Sequence, residues 1–252
     1  MRQQRARGFR FLLLVLIAGL ITTGCAIPRT WQYPPVPPGT LLDVKAAKPA
    51  PAKVAVRPFR DARGQQAQEE SWRVVIPFYP YATDVYDRPE TAKATEGVPL
   101  VKVDPSKDFA RAVADEIRNA GVFSSVSFVD GTGSDGADLV LDGTIRATGW
   151  KRTRTTYLLG PVGTIFWILG LPMGENTNTV DMDIQLAPAS DPSKPAWMFT
   201  MQFTDEHLVG IYYGREESVE NYATAVQETL KPALTDLIKL ATERPDILQG
   251  AK

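Results

Sequence analysis

Two stretches in the second half of the chain alternate apolar and polar side chains and constrain the fold more than any other feature. The apolar positions are Val180, Met182, Ile184 and Leu186 in residues 179–187, and Trp197, Phe199, Met201 and Phe203 in residues 197–204. A period of two predicts strands with one buried and one solvated face, which is typical of antiparallel sheets. The connection at 188–195 predicts a hairpin, so the rest of the chain must cover one face of a sheet.

Two helices are predicted to provide that cover. The first begins at Asp104-Pro105-Ser106 and ends at Gly121, and the second runs from near Ser218 to Pro245 with an expected kink or restart at Pro232. Three further strand-like runs lie at 53–59, 122–129 and 137–150. This order predicts an α+β fold, a mixed or antiparallel sheet with helices packed on one face. We assign residues 53–245 to a single domain with inserts at 64–104 and 155–174.

The N-terminus has the parts of a secretory signal peptide. Residues 1–24 contain four arginines and no acid, and an apolar run of 11 residues, Phe11 to Ile21, precedes Cys25, the only cysteine of the chain. The run is too short to cross the ~30 Å hydrocarbon core of a bilayer. Residues 26–52 hold seven prolines and are predicted to be an extended tether. In that tether, Trp31 and Tyr33 have two alternative positions: they could lie in a membrane interface or pack on the domain.

The sequence Thr22-Thr23-Gly24-Cys25 resembles the lipobox of bacterial lipoproteins. The resemblance implies that Cys25 carries a diacylglyceryl group and becomes the first residue of the mature chain. The chain departs from the lipobox at Thr22, where the family favours leucine. Ala26 follows the cysteine, and by the sorting rule of Gram-negative lipoproteins this implies the outer membrane, with the body on the periplasmic side. Without residues 1–24 the chain is mildly acidic, which argues against a nucleic-acid partner.

Three further segments resemble a group of periplasmic envelope domains. Residues 54–59 (Val-Ala-Val-Arg-Pro-Phe) are similar to their first strand, residues 109–126 to the following helix and strand, and residues 136–145 to the next strand. The group includes the N-terminal domain of the Tol translocation protein and the curli-export lipoproteins. The resemblance implies an anticodon-binding-domain-like fold used for protein contacts and envelope assembly, and it implies no catalytic residues.

The most informative internal feature is a charge-free stretch of 20 residues, Thr155 to Gly174, preceded by Lys151, Arg152 and Arg154. Its glycines and prolines break the run, so it is no ordinary membrane-spanning helix. Three interpretations stay open: burial against its own domain or a neighbouring copy, a position in the membrane interface with the three basic residues at headgroup level, or a contribution to an oligomeric pore. The predicted membrane or partner contacts are Tyr157, Leu158, Leu159, Ile165, Phe166, Trp167, Ile168 and Leu169.

Residue types that carry catalysis or bind metals are sparse. One cysteine and one histidine exclude an internal disulfide and a His-cluster metal site. His207 follows acidic residues near a strand end, and Asp181 and Asp183 lie on one strand face roughly 7 Å apart, as in any solvated strand. We therefore predict no enzyme, no cofactor and no metal.

The sequence as a whole predicts a membrane-anchored lipoprotein that serves as an accessory or scaffold subunit in envelope assembly or export. Its partners would be the membrane, through the anchor, and other envelope proteins or further copies of itself. Two alternatives stay open: an envelope hydrolase acting on glycan or peptide, and a lipid or glycan carrier that uses the Trp- and Tyr-rich insert at 72–86.

Overall fold

The computed structural model describes residues 29–35, 39–91, 101–134, 136–214 and 219–248. The strands are β1 Arg29–Thr30, β2 Ala50–Val56, β3 Arg60–Asp61, β4 Gln68–Glu69, β5 Ala82–Tyr86, β6 Val101–Lys102, β7 Phe123–Phe128, β8 Leu139–Arg154, β9 Gly174–Pro188 and β10 Trp197–Val209. The helices are α1 Pro105–Ala120, α2 Thr164–Ile168 and α3 Asn221–Glu243, with 3-10 turns at Arg73–Val75, Pro89–Thr91 and Gly160–Gly163. The predicted α+β class is confirmed.

The long strand β8 organises the main sheet, which has eight strands. Along one edge it pairs antiparallel with β9 over its whole length, and β9 pairs with β10. Along its other edge β8 pairs in turn with β2 and β3, both parallel, and then with β5, antiparallel. Strands β7 and β4 join through β2 and β5, while β1 and β6 form a separate parallel pair. The sheet is therefore mixed.

Strands β9 and β10 form the predicted hairpin, and both run farther than the alternation indicated. Val180, Met182, Ile184 and Leu186 are almost fully buried and belong to the same core cluster as helices α1 and α3. The neighbouring Asp181 and Asp183 are partly exposed on the other face. The two long helices thus cover one face of the sheet, because that face carries the apolar side chains.

Both long helices lie close to where their periodicity placed them. Helix α1 ends at Gly121, whose φ of 65° is a left-handed cap conformation that glycine adopts without strain. Helix α3 runs unbroken through Pro232, so the expected restart is absent. Its buried stripe continues on both sides of the proline through Leu230, Leu234 and Leu237, and this packing offsets the lost backbone hydrogen bond.

The tether prediction is wrong for the described part of residues 29–52, which packs on the body. Tyr33 donates to Glu116 Oε1 at 2.6 Å, and the Leu42 N–H donates to Glu116 Oε2 at 3.0 Å. Burial, together with the hydrogen bond to Glu116, raises the pKa of Tyr33. The centre of the Trp31 ring lies 5.9 Å from that of Phe109. Trp31 therefore packs on the domain. The folded body therefore begins well before residue 53.

Residues 1–28, including Cys25 and the predicted signal peptide, lie outside the described residues. The predicted insert at 64–104 belongs to the main sheet in its described part, because it supplies β4 and β5. Residues 72–81 form a 3-10 turn and a loop. A buried ion pair fixes this region, with Arg63 Nη1 donating to Glu90 Oε1 at 2.5 Å and the Tyr222 hydroxyl donating to Glu90 Oε2 at 2.9 Å.

Candidate functional site

The strand register brings three loops to one end of the main sheet. Across adjacent strands, Ala82 pairs with Arg154, Arg154 pairs with Gly174, and Gly174 pairs with Val209. The loop before β5, the loop from β8 to β9 and the loop after β10 therefore meet at this end. We name residues 72–81, 155–173 and 208–213 the apolar platform.

Large hydrophobic side chains are concentrated on this platform and point to solvent. Phe78 is 87% exposed, Leu169 69% and Tyr212 67%. Among the described residues, every exposed large hydrophobic side chain except Met198 lies on the platform. Single exposed apolar residues are normal on protein surfaces, whereas a cluster of this kind marks an interaction site.

Hydrogen bonds between the loops hold the platform together without burying its apolar side chains. The Phe78 N–H donates to the Leu158 carbonyl at 2.8 Å, and the Tyr212 hydroxyl donates to the Ile168 carbonyl at 2.9 Å. A Cβ atom at Gly160 would lie 2.9 Å from the Val75 carbonyl oxygen, so only glycine permits this close approach. The three loops thus form one connected surface.

Backbone strain is concentrated in the same loops. Phe78, Tyr157 and Leu158 have φ values of 69°, 57° and 68°, and they are the non-glycine residues with positive φ in the described part of the chain. Such conformations are rare for bulky residues and persist only where the surrounding structure enforces them. Their position on the platform supports a functional role for its shape.

The predicted contact residues of the 155–174 segment lie on this platform. Leu158, Leu159, Ile165, Ile168 and Leu169 are exposed, whereas Tyr157, Phe166 and Trp167 are half-buried beneath them. Helix α2 has no fully buried side chain, so the segment as a whole is not buried against its own domain. In the described part of the chain, no helix has the length and hydropathy to cross a membrane.

Two of the three basic residues expected at headgroup level point into the protein instead. Arg152 donates to Asp84 Oδ2 from Nε at 3.0 Å and from Nη2 at 2.8 Å, and Arg154 Nη2 donates to the same oxygen at 3.0 Å. Lys151 alone of the three is exposed. The interface prediction is wrong on this detail, because alternation along β8 puts Arg152 and Arg154 on the same face as buried Trp150.

The residues that a hydrolase would need do not converge. His207 pairs with Asn176 across the β9–β10 ladder and so shares the sheet face of the helices, with its Nδ1 2.9 Å from Asp205 Oδ2. Asp181 and Asp183 lie on the opposite face, and both accept hydrogen bonds from Arg146. Within the described ranges, no three acidic, histidine or cysteine side chains are close enough to hold a metal ion.

The sequence does not indicate that the aromatic stretch at 72–81 joins the 155–174 segment in one surface. Residues 208–213 are not predicted to be part of a site, although Leu208-Val-Gly-Ile-Tyr-Tyr carries no charge. The sequence signal for these two loops is that each is an apolar run next to a strand end. Such runs mark loop surfaces only once the strand register is known.

Comparisons with known proteins give little further guidance. No protein-family model matches the chain, and no curated protein matches it. A crystal structure of a Xanthomonas campestris protein of the DUF330 family aligns with 83% of this chain and 94% of its own, at 13% sequence identity and a TM-score of 0.38. That similarity is too low to assign a fold or a function.

Proposed function

We propose that this protein is an outer-membrane lipoprotein facing the periplasm that acts as a non-enzymatic accessory or scaffold subunit in envelope assembly or export. It docks on another envelope protein through the apolar platform. The observation that supports this function best is the joining of three loops into one exposed apolar surface. Trp72, Tyr81 and Tyr212 lie on that surface, and Trp and Tyr are the residue types most common among interface hot spots.

A protein partner fits the platform better than a lipid bilayer does. A helix or loop that inserts in the membrane interface carries basic side chains at headgroup level. Arg152 and Arg154 instead bind Asp84, and the exposed charges on and around the platform are of both signs: Arg73 and Lys151 against Glu175 and Glu206. An apolar centre with a mixed polar rim is typical of protein–protein interfaces.

The packed N-terminal stretch limits how far the anchor could hold the body from the membrane. Thr30, in strand β1, lies five residues after Cys25 in the sequence. An extended chain spans at most about 3.6 Å per residue, so Thr30 lies within roughly 18 Å of an acylated Cys25. The proposed anchor would therefore keep the body at the membrane surface.

Site-specific photocrosslinking in the native envelope tests the docking surface. A photoreactive amino acid at Leu169 is expected to give one discrete protein adduct, because Leu169 is among the most exposed platform residues. The matched control is Met198, which is 57% exposed on β10 but lies off the platform. The adduct at position 169 is expected to disappear when Phe78→Ser and Tyr212→Ser are added. Equal adducts from both positions, or lipid adducts alone from position 169, would overturn docking on a protein.

The anchor is tested separately by metabolic labelling with radioactive palmitate. The wild-type chain is expected to be labelled and the Cys25→Ser variant to stay unlabelled. An unlabelled wild-type protein would remove the membrane anchor from the proposal while leaving the crosslinking result to decide the docking surface.

A further inference from the structure

A pocket of about 470 Å³ opens between the first two loops of the platform. Its walls include Val75, Pro161 and Met173 and the indoles of Trp72 and Trp167. Hydrogen bonds fix these walls, since Trp167 Nε1 donates to the Thr155 carbonyl at 2.8 Å and the Thr156 hydroxyl donates to the Val74 carbonyl at 2.7 Å. This volume lies in the range of about 300–1,000 Å³ of small-molecule sites.

The charged side chains that line this pocket are both arginines, Arg152 and Arg154. The Arg154 guanidinium lies 5.3 Å from the centre of the Trp72 ring, and its Nη2 donates to Asp84. Its Nε–H is buried and has no acceptor among the described residues. The Asp84 carboxylate is thus shared between two guanidinium groups, and an anionic group entering the pocket would meet positive charge beside an apolar wall.

We infer that this pocket binds a single-chain anionic amphiphile, with its carboxylate or phosphate head at Arg154 and its hydrocarbon chain between Trp167 and Val75. Apolar walls with a few convergent polar groups are the usual construction of a ligand site. A guanidinium suits either head group, because it is always charged and both head groups present acceptor oxygens. This inference rests on neither the anchor nor the docking partner proposed above.

Binding is measured by calorimetry on the full chain carrying Cys25→Ser, which keeps acyl chains of an anchor out of the assay. The probes are oleate, oleoyl lysophosphatidic acid and oleyl alcohol, which share a chain length and differ in head group. Saturable one-to-one binding of at least one anionic probe is expected, and the tighter of the two identifies the head group. Arg154→Gln is expected to weaken that binding about tenfold or more and to leave oleyl alcohol unchanged.

Two further variants separate the pocket from the rest of the surface. Arg146→Gln removes an arginine that binds Asp181 and Asp183, and it is expected to change no affinity. Val75→Trp fills the pocket from an exposed wall position and is expected to abolish binding of all three probes while circular dichroism stays that of the folded protein.

The inference is overturned if no probe saturates on the folded protein, if oleyl alcohol binds as tightly as the anionic probes, or if Arg154→Gln and Arg146→Gln behave alike. Phe78→Ser lies outside the pocket and is expected to retain amphiphile binding while it reduces crosslinking at position 169. The two proposals therefore fail independently of each other.

Discussion

Replacing Asp84 by alanine tests whether the polar cluster beneath the platform stabilises the fold. The Asp84 side chain is 7% exposed and accepts three hydrogen bonds from Arg152 and Arg154 through one oxygen. Its other oxygen accepts the Ser71 N–H at 3.1 Å. Asp84→Ala leaves two guanidinium groups and a backbone donor without this acceptor, so strand β5 loses its side-chain ion pairs with β8 and keeps the backbone ladder.

The expected cost follows from the burial of the three side chains. Removing one partner of a buried ion pair destabilises a protein by about 3–5 kcal/mol, because the remaining charge stays desolvated. Arg152 is 6% exposed but Arg154 is 17% exposed and regains some hydration, so the lower end of this range, about 3 kcal/mol, is expected. For a chain of this size that corresponds to a decrease in Tm of roughly 6–12 °C.

Thermal unfolding followed by circular dichroism measures this decrease, with Asp183→Ala as the matched control. Asp183 also binds an arginine, Arg146, but that pair lies on the solvated face of the sheet. Exposed pairs contribute little because water and salt screen them, and the control is expected to lower Tm by less than about a third as much. Equal decreases for the two variants would refute the claim that burial sets the cost.

Two other predictions concern the N-terminal stretch and acid stability. Glu116→Ala removes the buried acceptor of Tyr33 and Leu42, and hydrogen-exchange mass spectrometry is expected to show faster exchange over residues 39–46; unchanged exchange would contradict the docking contact. The hydrogen bond from Arg63 lowers the pKa of Asp61 below its ordinary 3.8, so this carboxylate stabilises the fold above about pH 4 and loses that effect as the pH falls through its folded pKa. Between pH 4 and lower pH, the Tm of Asp61→Asn is expected to fall less than the Tm of the wild type. Equal decreases in Tm for the two proteins would contradict this prediction.

Local periodicity was sufficient to predict the framework of this protein. The stripe of α1 and the alternation of β9 and β10 each reflect burial of one face by residues close in sequence, and the structure has all three elements. The alternation does not predict where the two strands end, because β9 and β10 extend past the alternating core into polar positions such as Asn176 and His207. Those residues continue the ladder through backbone hydrogen bonds that no side-chain pattern encodes.

The docking of residues 29–52 was not predictable from composition. Proline content favours an extended backbone, but it does not determine whether the extended chain lies in water or on a neighbouring helix. Here the deciding contact is Glu116, a residue of a type that is usually exposed and that the structure buries completely on α1. The inward orientation of the Arg152 and Arg154 side chains could be predicted from the sequence, because residues 150, 152 and 154 of a strand lie on one face and Trp150 is apolar.

The construction of the platform bears on how it would bind. Many of its apolar side chains are exposed, so burial of a few residues such as Val74 is supplemented by hydrogen bonds such as those from Phe78 to Leu158 and from Tyr212 to Ile168. A loop surface that is fixed before binding loses little conformational entropy when a partner covers it, which increases affinity for a given contact area. The left-handed backbone at Phe78 and Leu158 has a conformational cost that the rest of the fold must offset. Under the proposed function, a partner that requires this shape would account for a surface that keeps both this strain and this apolar exposure.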